Sequence, residues 1–220
     1  MTRRGIRRAD DYRLLERDVK FEGRFVTVAL EHLRMPHGVE VRHEVLRLPR
    51  AVAIVPLRSA GVEGGEGVVL VEQFRSALGG FIHEIPAGIL EEGEDPAVCA
   101  GRELREETGY SAGSLQHLAT LMPLPGMSAH VMDFYLAEEL VAGDAEPEET
   151  ECLEVREFPL QSLLDAMLVP TDSESVVADV VVDAKTHLGL LHAAALLERR
   201  RRARTSSERS ARDSGERGTQ

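Results

Sequence analysis

The chain has 220 residues, 43% of them hydrophobic, which is enough for one domain of ordinary size with a buried core and short appendages. Its formal charge of −12 argues against nucleic acid as the main partner, since an acidic surface repels polyanions. Two cysteines are too few for a disulfide framework or a zinc site, and no apolar run approaches the roughly 20 residues that span a bilayer, so we expect no membrane partner.

The N-terminal part is predicted to be flexible at first and then rich in strands. Residues 1–11 are basic with no apolar segment behind them, which predicts a flexible N-terminus instead of a secretory signal and, by default, a cytoplasmic protein. Residues 12–48 alternate β-branched or aromatic residues with polar ones, and Glu22-Gly23 and Pro36-His37-Gly38 interrupt the alternation. This pattern predicts antiparallel strands joined as hairpins.

Two short apolar runs, Ala51–Leu57 and Gly67–Gln73, predict the next strands. The glycine-rich GVEGGEG between them has neither the lysine nor the following helix of a phosphate-binding P-loop. We therefore predict a hairpin tip there.

A helix is predicted from about Pro96 to Thr108. Asp95 can cap its first turn, proline fits the first helical position, and Gly109 suits a left-handed end. Val98 and Leu104 are expected to pack inward from this helix. An Arg102–Glu94 contact would brace the preceding loop against it through paired hydrogen bonds.

Glu103, Glu106 and Glu107 stand at i, i+3 and i+4, so they share one helix face with Cβ atoms roughly 5–6 Å apart. Three carboxylates so close repel one another, and a hard cation such as Mg²⁺ or Mn²⁺ relieves that repulsion through oxygen ligands. A solvated acidic face is the alternative for the three glutamates taken by themselves.

The C-terminal half alternates strands and helices. The pattern predicts strands over Leu115–Met122, Val131–Ala137 and Leu153–Phe158, and helices over Leu160–Leu168 and from Ser173 to about Arg202. Residues 204–220 are polar and lack large apolar groups, which predicts a disordered tail, with an interaction segment as the alternative.

The segment GILEEGEDPAVCAGRELREETGY has the form G-x5-E-x7-R-E-U-x-E-E-x-G-U, where U is an apolar residue. Such a pattern arises by chance on the order of once per million chains. It resembles the Nudix box, the signature of Nudix hydrolases, in which Gly88, Glu94, Arg102 and Gly109 would be structural. The resemblance implies an α/β/α sandwich with a mixed sheet over residues 49–203, preceded by the antiparallel β region 12–48, and metal-dependent cleavage of a nucleoside diphosphate derivative.

Motifs outside the box indicate which group of Nudix hydrolases the chain resembles. EQFR, HEIPAG and LPGMS are similar to the ADP-ribose pyrophosphatase group, and Pro125 stands sixteen residues beyond Gly109, where that group places a proline. The resemblance implies cleavage of ADP-ribose, or a related ADP-sugar, to AMP and ribose 5-phosphate. The substrate contacts it implies are Arg75, Ile89, Leu124 and Pro125. Another sugar or flavin nucleotide is an alternative substrate, and a non-catalytic ADP-ribose sensor is an alternative function.

The resemblance also implies the ligands and the catalytic groups. Two to three Mg²⁺ or Mn²⁺ ions would be held by the Ala87 carbonyl, Glu103 and Glu107, with Glu106 as an auxiliary ligand that takes part in catalysis. The acidic loop AEPEETECLEV would supply Glu149 as general base and Glu151 as a further ligand. Glu148 or Glu154 could replace either of them.

Two further implications concern assembly and specificity. In the resembling group the region that corresponds to 12–48 exchanges between subunits, so a homodimer is expected. Relatives commonly carry an acidic pair where this chain has Ala129 and His130, which departs from the pattern for ribose recognition.

Overall fold

The computed structural model describes residues 11–59, 65–145, 153–167 and 183–216, with side chains of the last helix described up to residue 207. The chain divides into two compact units, Met1–Arg50 with Met122–Met132, and Ala51–Leu121 with Asp133–Gln220. Each unit has its own sheet.

The first unit contains an antiparallel sheet of three strands in the order β1-β2-β3. These strands are β1 (Arg13–Glu22), β2 (Thr27–Arg34) and β3 (Glu40–Arg47). Gly23 N donates to Val26 O (2.9 Å) in the first turn, and Gly38 has φ +86° in the second. The antiparallel N-terminal region predicted from the alternation is confirmed.

A buried glutamate joins the three strands of this sheet. Glu31 of β2 accepts hydrogen bonds from Arg17 of β1 and Arg47 of β3, each 2.8 Å long. Burial raises the pKa of Glu31, but the two guanidinium groups outweigh burial and hold the pKa below its ordinary value. Glu31 therefore stays ionised and holds both outer strands to the central one.

The second unit is built on a mixed sheet of seven strands. Its main path runs β10-β5-β4-β9-β8, with β6 paired to β5 and β7 paired to β4. The strands are β4 (Ala51–Arg58), β5 (Gly67–Arg75), β6 (Gly80–Glu84), β7 (Ala87–Ile89), β8 (Tyr110–Leu121), β9 (Met132–Ala142) and β10 (Leu153–Pro159). The short strands β6 and β7 were absent from the sequence prediction, and β8 and β9 are longer than it expected.

Helices cover both faces of β4, which is why that strand reads as a continuous apolar run. The described helices are α1 (Pro96–Thr108), α2 (Leu160–Met167) and α3 (Ala184–Glu216). Val52 and Ile54 pack in one cluster with residues of α1. Val55 faces the other side, where a Cβ added at Gly189 of α3 would lie 3.1 Å from its Cγ2. The sandwich inferred from the resemblance is present.

Helix α1 begins and ends where the sequence predicts. The Asp95 side chain accepts a hydrogen bond from Ala97 N (2.8 Å), and Gly109 closes the helix with φ +75°. Cys99, Ala100 and Leu104 are fully buried in the core. Val98, however, is 63% exposed, so the expectation that it packs inward was wrong. It lies on the helix side away from this buried face.

Helix α3 corrects a second expectation. It runs to Glu216, although the sequence predicted a disordered tail from residue 204. From Arg204 the helix mixes arginine, alanine and glutamate, which favour it, with serine, threonine, aspartate and glycine, which favour it less. Its continuation therefore depends on first turns that are already packed, since adding a residue to an existing helix costs less than starting one. The first residues predicted for this helix, from Ser173, and the tip of the glycine-rich hairpin lie outside the described residues. In the described part of the chain no helix is long and apolar enough to span a membrane.

The contrast between Leu104 and Val98 gives a stability test within one helix. Leu104→Ala should lower the free energy of unfolding by about 2–5 kcal/mol, because it leaves a cavity beside Val52 and Ile54. Val98→Ala should change it by less than about 0.5 kcal/mol. Urea unfolding followed by circular dichroism measures both, and equal losses would contradict the packing described for α1.

Candidate active site

The centre of the candidate site is Arg102, on helix α1. Its Nε donates to Glu94 Oε1 at 3.0 Å and its Nη2 to Glu94 Oε2 at 3.1 Å, which is the expected brace between loop and helix. Glu94 also accepts from Glu91 N at 3.0 Å. The hydrogen bonds from Arg102 lower the pKa of Glu94 to about 2. Glu94 is therefore a fixed anion that holds the loop to the helix.

The same guanidinium bonds two of the three glutamates on the helix face. Arg102 Nη1 donates to Glu103 Oε1 at 2.8 Å and to Glu106 Oε2 at 2.9 Å. Nη2 also reaches the carbonyl of Ile89 at 3.3 Å. The pKa of Arg102 is raised above its ordinary value, first by the hydrogen bonds to Glu94 and then by Glu103 and Glu106. Arg102 thus offsets part of the repulsion among the carboxylates.

Gly88 leaves the space in which the Glu103 carboxyl group lies. A Cβ atom built on Gly88 would stand 1.9 Å from Glu103 Cδ and 2.0 Å from its Oε1, far inside contact distance. Gly88 itself is fixed in β7, opposite Val52 of β4. With a side chain at this position the Glu103 carboxyl group would have to move, so glycine leaves the carboxylate where it lies.

Glu107 is joined to the same strand. It is almost completely buried, and its Oε2 accepts a hydrogen bond from Ala87 N at 3.1 Å. Ala87 pairs with Ala53 of β4, so the strand holds the backbone that meets the helix. Ala87, Glu103 and Glu107 are therefore gathered where β7 meets α1.

The donor set at this place fits a hard divalent cation. Carboxylate and peptide carbonyl oxygens are the ligands that Mg²⁺ and Mn²⁺ prefer. As placed, no three His, Cys, Asp or Glu side chains of the described residues form a ligand group. Glu103 and Glu106 turn toward Arg102, and Glu107 turns toward Ala87 N.

Arg75, at the end of β5, is held by a carboxylate. Its Nε and Nη2 donate to the two oxygens of Glu84 at 2.5 and 2.9 Å, and Glu84 is 2% exposed. The hydrogen bonds to Glu84 raise the pKa of Arg75, and the charge of Glu107 adds to the effect. The Arg75 guanidinium therefore lies close enough to Glu107 of helix α1 for the two charges to interact.

The sequence analysis missed the partners of Arg75. Glu84 is a charged residue inside the apolar IHEIP stretch, and Lys185, which bonds it, is one of only two lysines in the chain. Either feature could have drawn attention to them. Neither gives a sign that residues about a hundred positions apart would meet.

The remaining candidates are placed unevenly. Ile89 ends β7, and its carbonyl accepts a hydrogen bond from Arg102. Leu124 and Pro125 lie in the other unit, in a turn that is closed by a hydrogen bond of 2.8 Å from Ser128 N to Leu124 O. Glu149, Glu151 and Glu148 lie outside the described residues. Glu154 is exposed in β10 and bonds Arg156 at 2.7 Å.

Two residues outside the candidate set are engaged elsewhere. His130 directs Nδ1 to the carbonyl of Pro49 at 2.7 Å. Cys99 is buried, and burial followed by the nearby Glu94 raises its pKa to about 12, so it remains a thiol at neutral pH. Cys99 is a small core residue.

The sequence and the fold of the chain are similar to those of known proteins. The NUDIX domain family model matches residues 47–179. An ADP-ribose pyrophosphatase of Bacillus subtilis (strain 168) is 36% identical over 168 residues, which are 76% of this chain and 83% of that protein. A methanol dehydrogenase activator of Bacillus methanolicus is 35% identical over 162 residues, 72% of this chain and 85% of that protein.

A solved structure described as an ADP compounds hydrolase superposes with a TM-score of 0.73 at 23% identity. The match covers 89% of this chain and 98% of that one. At this identity the likeness concerns the fold.

Glu94 gives the site a defined dependence on pH. Its pKa lies near 2 in the folded protein against an ordinary 4.5, so its stabilising contribution is complete above pH 4.5 and is lost as pH falls through about 2. Glu94→Gln should lower the free energy of unfolding by about 1–3 kcal/mol at pH 7, because Arg102 loses a charged partner. The difference from the unsubstituted protein should shrink steadily below pH 4.5.

Urea unfolding at a series of pH values measures this. Asp165→Asn is the control, since Asp165 is an exposed carboxylate that bonds Gln161 on α2. It should change the free energy by less than about 0.5 kcal/mol at pH 7. A Glu94→Gln deficit that is the same at pH 7 and pH 3 would contradict the ion pair.

Proposed function

Because this chain belongs to the Nudix family, we propose that it hydrolyses the pyrophosphate bond of ADP-ribose, or of a related ADP-sugar, to AMP and ribose 5-phosphate. The observation that carries the proposal is the Glu103 carboxylate, seated over Gly88 and bonded by Arg102 beside Glu106. The choice of substrate is supported by the similarity to the ADP-ribose pyrophosphatase of Bacillus subtilis, which extends over most of that protein.

We propose Mg²⁺ or Mn²⁺ as the cofactor, two or three ions in each site. The Ala87 carbonyl, Glu103 and Glu107 would hold them, with Glu106 as an auxiliary ligand and Glu151 as a further one. When bound, such ions neutralise the diphosphate and acidify a coordinated water. Arg102 and Gly88 serve this site by fixing where the Glu103 oxygens lie.

The chain's own groups would bind the substrate and accept a proton from the attacking water. Arg75 reaches the nucleotide with a guanidinium that Glu84 keeps in one orientation. Ile89, Leu124 and Pro125 supply apolar or backbone contacts. Glu149 accepts the proton of the attacking water, and a positioned general base typically contributes roughly 10²–10⁴-fold to the rate.

Glu103→Gln tests the proposed metal site. The amide keeps the shape of the side chain but removes its charge, so kcat for ADP-ribose should fall by roughly 10³-fold, about 4 kcal/mol of lost transition-state stabilisation. AMP release is followed by chromatography with Mg²⁺ and with Mn²⁺, and thermal melting verifies folding. Glu198→Gln, which alters an exposed ion pair with Arg202, should leave kcat unchanged.

The same assay separates the rival functions. Sugar and flavin nucleotides compared by kcat/KM would identify a different substrate if one of them exceeded ADP-ribose clearly. Tight binding of ADP-ribose without AMP release, with either metal, would show that the protein is a non-catalytic ADP-ribose sensor and not a hydrolase. Full activity of a folded Glu103→Gln protein would remove the metal assignment.

We further propose that the protein is a homodimer formed through the N-terminal β region and that it acts in the cytoplasm. Strand β1 is at the edge of its sheet and exposed along its whole length, with apolar side chains at Leu14, Leu15, Val19 and Phe21. An exposed apolar edge strand is a template for pairing with another chain. The free thiol of Cys99 suits a compartment where thiols stay reduced, and cell fractionation with an antibody would verify the location.

The dimer can be tested with two matched valines. Val19 of β1 is 50% exposed and Val141 of β9 is 66% exposed. The unsubstituted protein should scatter light as a dimer at micromolar concentration, and Val19→Asp should weaken the dimer by at least about tenfold because it buries a charge. Val141→Asp should leave the dimer intact. A fully active monomer would rule the assembly out.

A further inference from the structure

The carboxylate of Glu84 is shared between two cations. One side is occupied by Arg75, through the paired hydrogen bonds of 2.5 and 2.9 Å. From the other side Lys185 of α3 donates to Glu84 Oε2 at 2.7 Å. The side chains of Glu84 and Lys185 are 3% and 12% exposed, so water screens neither of them well.

Asp183 completes the cluster. It bonds the Lys185 ammonium at 2.9 Å and, as the residue before α3, accepts from Thr186 N at 3.0 Å. Burial raises the pKa of Asp183, but Lys185 and Thr186 outweigh burial and lower it below the ordinary value. Asp183 is therefore ionised beside Lys185, and the cluster of Arg75, Glu84, Lys185 and Asp183 pairs two carboxyl groups with two basic groups.

The first turn of α3 also holds the backbone that leads into the box. Ile85 N donates to Thr186 Oγ1 at 3.0 Å, and Lys185 Nζ donates to the Ile85 carbonyl at 3.4 Å. Two residues later, Ala87 N bonds Glu107. A single turn of α3 thus contacts both the carboxylate that orients Arg75 and the backbone just before the strand that carries Ala87.

We infer that Lys185 is a positioning residue for the substrate, acting through Glu84 on Arg75. Lys185 draws one Glu84 oxygen toward α3 and neutralises the carboxylates on that side. Arg75 then holds Glu84 by one edge only, through Nε and Nη2, which leaves Nη1 outside the Glu84 contact. Without Lys185, Arg75 is the only cation left in the cluster for both carboxylates and is drawn inward. This role rests on the proposed function, in which Arg75 contacts the nucleotide.

Lys185→Met tests the inference, because it keeps an unbranched side chain only one atom shorter and removes the charge. KM for ADP-ribose should rise about tenfold, the value of one lost charged hydrogen bond, while kcat stays within about threefold. The metal concentration for half-maximal activity should not change. Lys185→Arg should restore most of the affinity, since it keeps the charge.

A double-mutant cycle separates this role from a general loss of structure. Arg75→Gln should raise KM to the same extent, and Lys185→Met combined with Arg75→Gln should be no worse than Arg75→Gln alone. Arg200→Met is the matched control, because Arg200 also lies on α3 and pairs with a glutamate, Glu138 of β9, at 2.8 Å. It should leave both kinetic constants unchanged. Additive effects of the two substitutions, or an unchanged KM in Lys185→Met, would overturn the inference.

Two further measurements cover poor folding and a wrong substrate. If Lys185→Met does not fold, Glu84→Gln with Lys185→Gln keeps the cluster neutral and should raise KM about tenfold. A normal KM there overturns the inference. The exchange of the Arg75 Nε proton with water, measured by NMR, should be slower in the Lys185→Met variant than in the unsubstituted protein, because Arg75 is drawn toward the carboxylates. Equal rates overturn the inference even if ADP-ribose is not the substrate, whereas absence of AMP release alone refutes only the proposed function.

Discussion

The candidate site depends on one guanidinium shared among several carboxylates. Arg102 bonds Glu94 through two nitrogens and reaches Glu103 and Glu106 with a third. The first contact fixes the loop, and the other two fix the glutamates, so one residue links structure to chemistry. Because its single charge is divided among three anions, each of them is held less firmly than in a one-to-one pair. That arrangement keeps the glutamates in place and leaves them open to a competing divalent cation.

The position of these side chains is fixed by β4, a strand that is packed on both faces. Val52 and Ile54 rest on α1, and β7 pairs with the same strand through Gly88 and Val52. The helix that bears the glutamates and the strand that passes under Glu103 are therefore fixed to a common support. If the two moved closer together, Gly88 would press on the Glu103 carboxyl group, because a single carbon added to Gly88 would already collide with it.

Sequence reasoning succeeded where the determining contacts are local. The cap at Asp95, the left-handed Gly109 and the Glu94–Arg102 brace lie within sixteen residues, and the residue type at each position specifies them. Val98 was misplaced because a single apolar residue on a short helix does not reveal which side faces the sheet. Disorder beyond residue 204 was predicted from composition, and composition does not indicate how far a helix continues once its first turns are packed.

The Glu84 cluster shows why the rest of the site could not be predicted. Glu84 and Lys185 are separated by 101 positions, and nothing in the spacing of the intervening residues relates them. Their pairing follows from burial instead, since an ionised carboxylate that is nearly inaccessible to water requires a nearby cation. This cluster balances its charges one to one, whereas Arg102 is shared among three carboxylates. The balanced cluster suits a rigid support for Arg75, and the shared one suits the metal site proposed for the glutamates, in which they would exchange a protein partner for a cation.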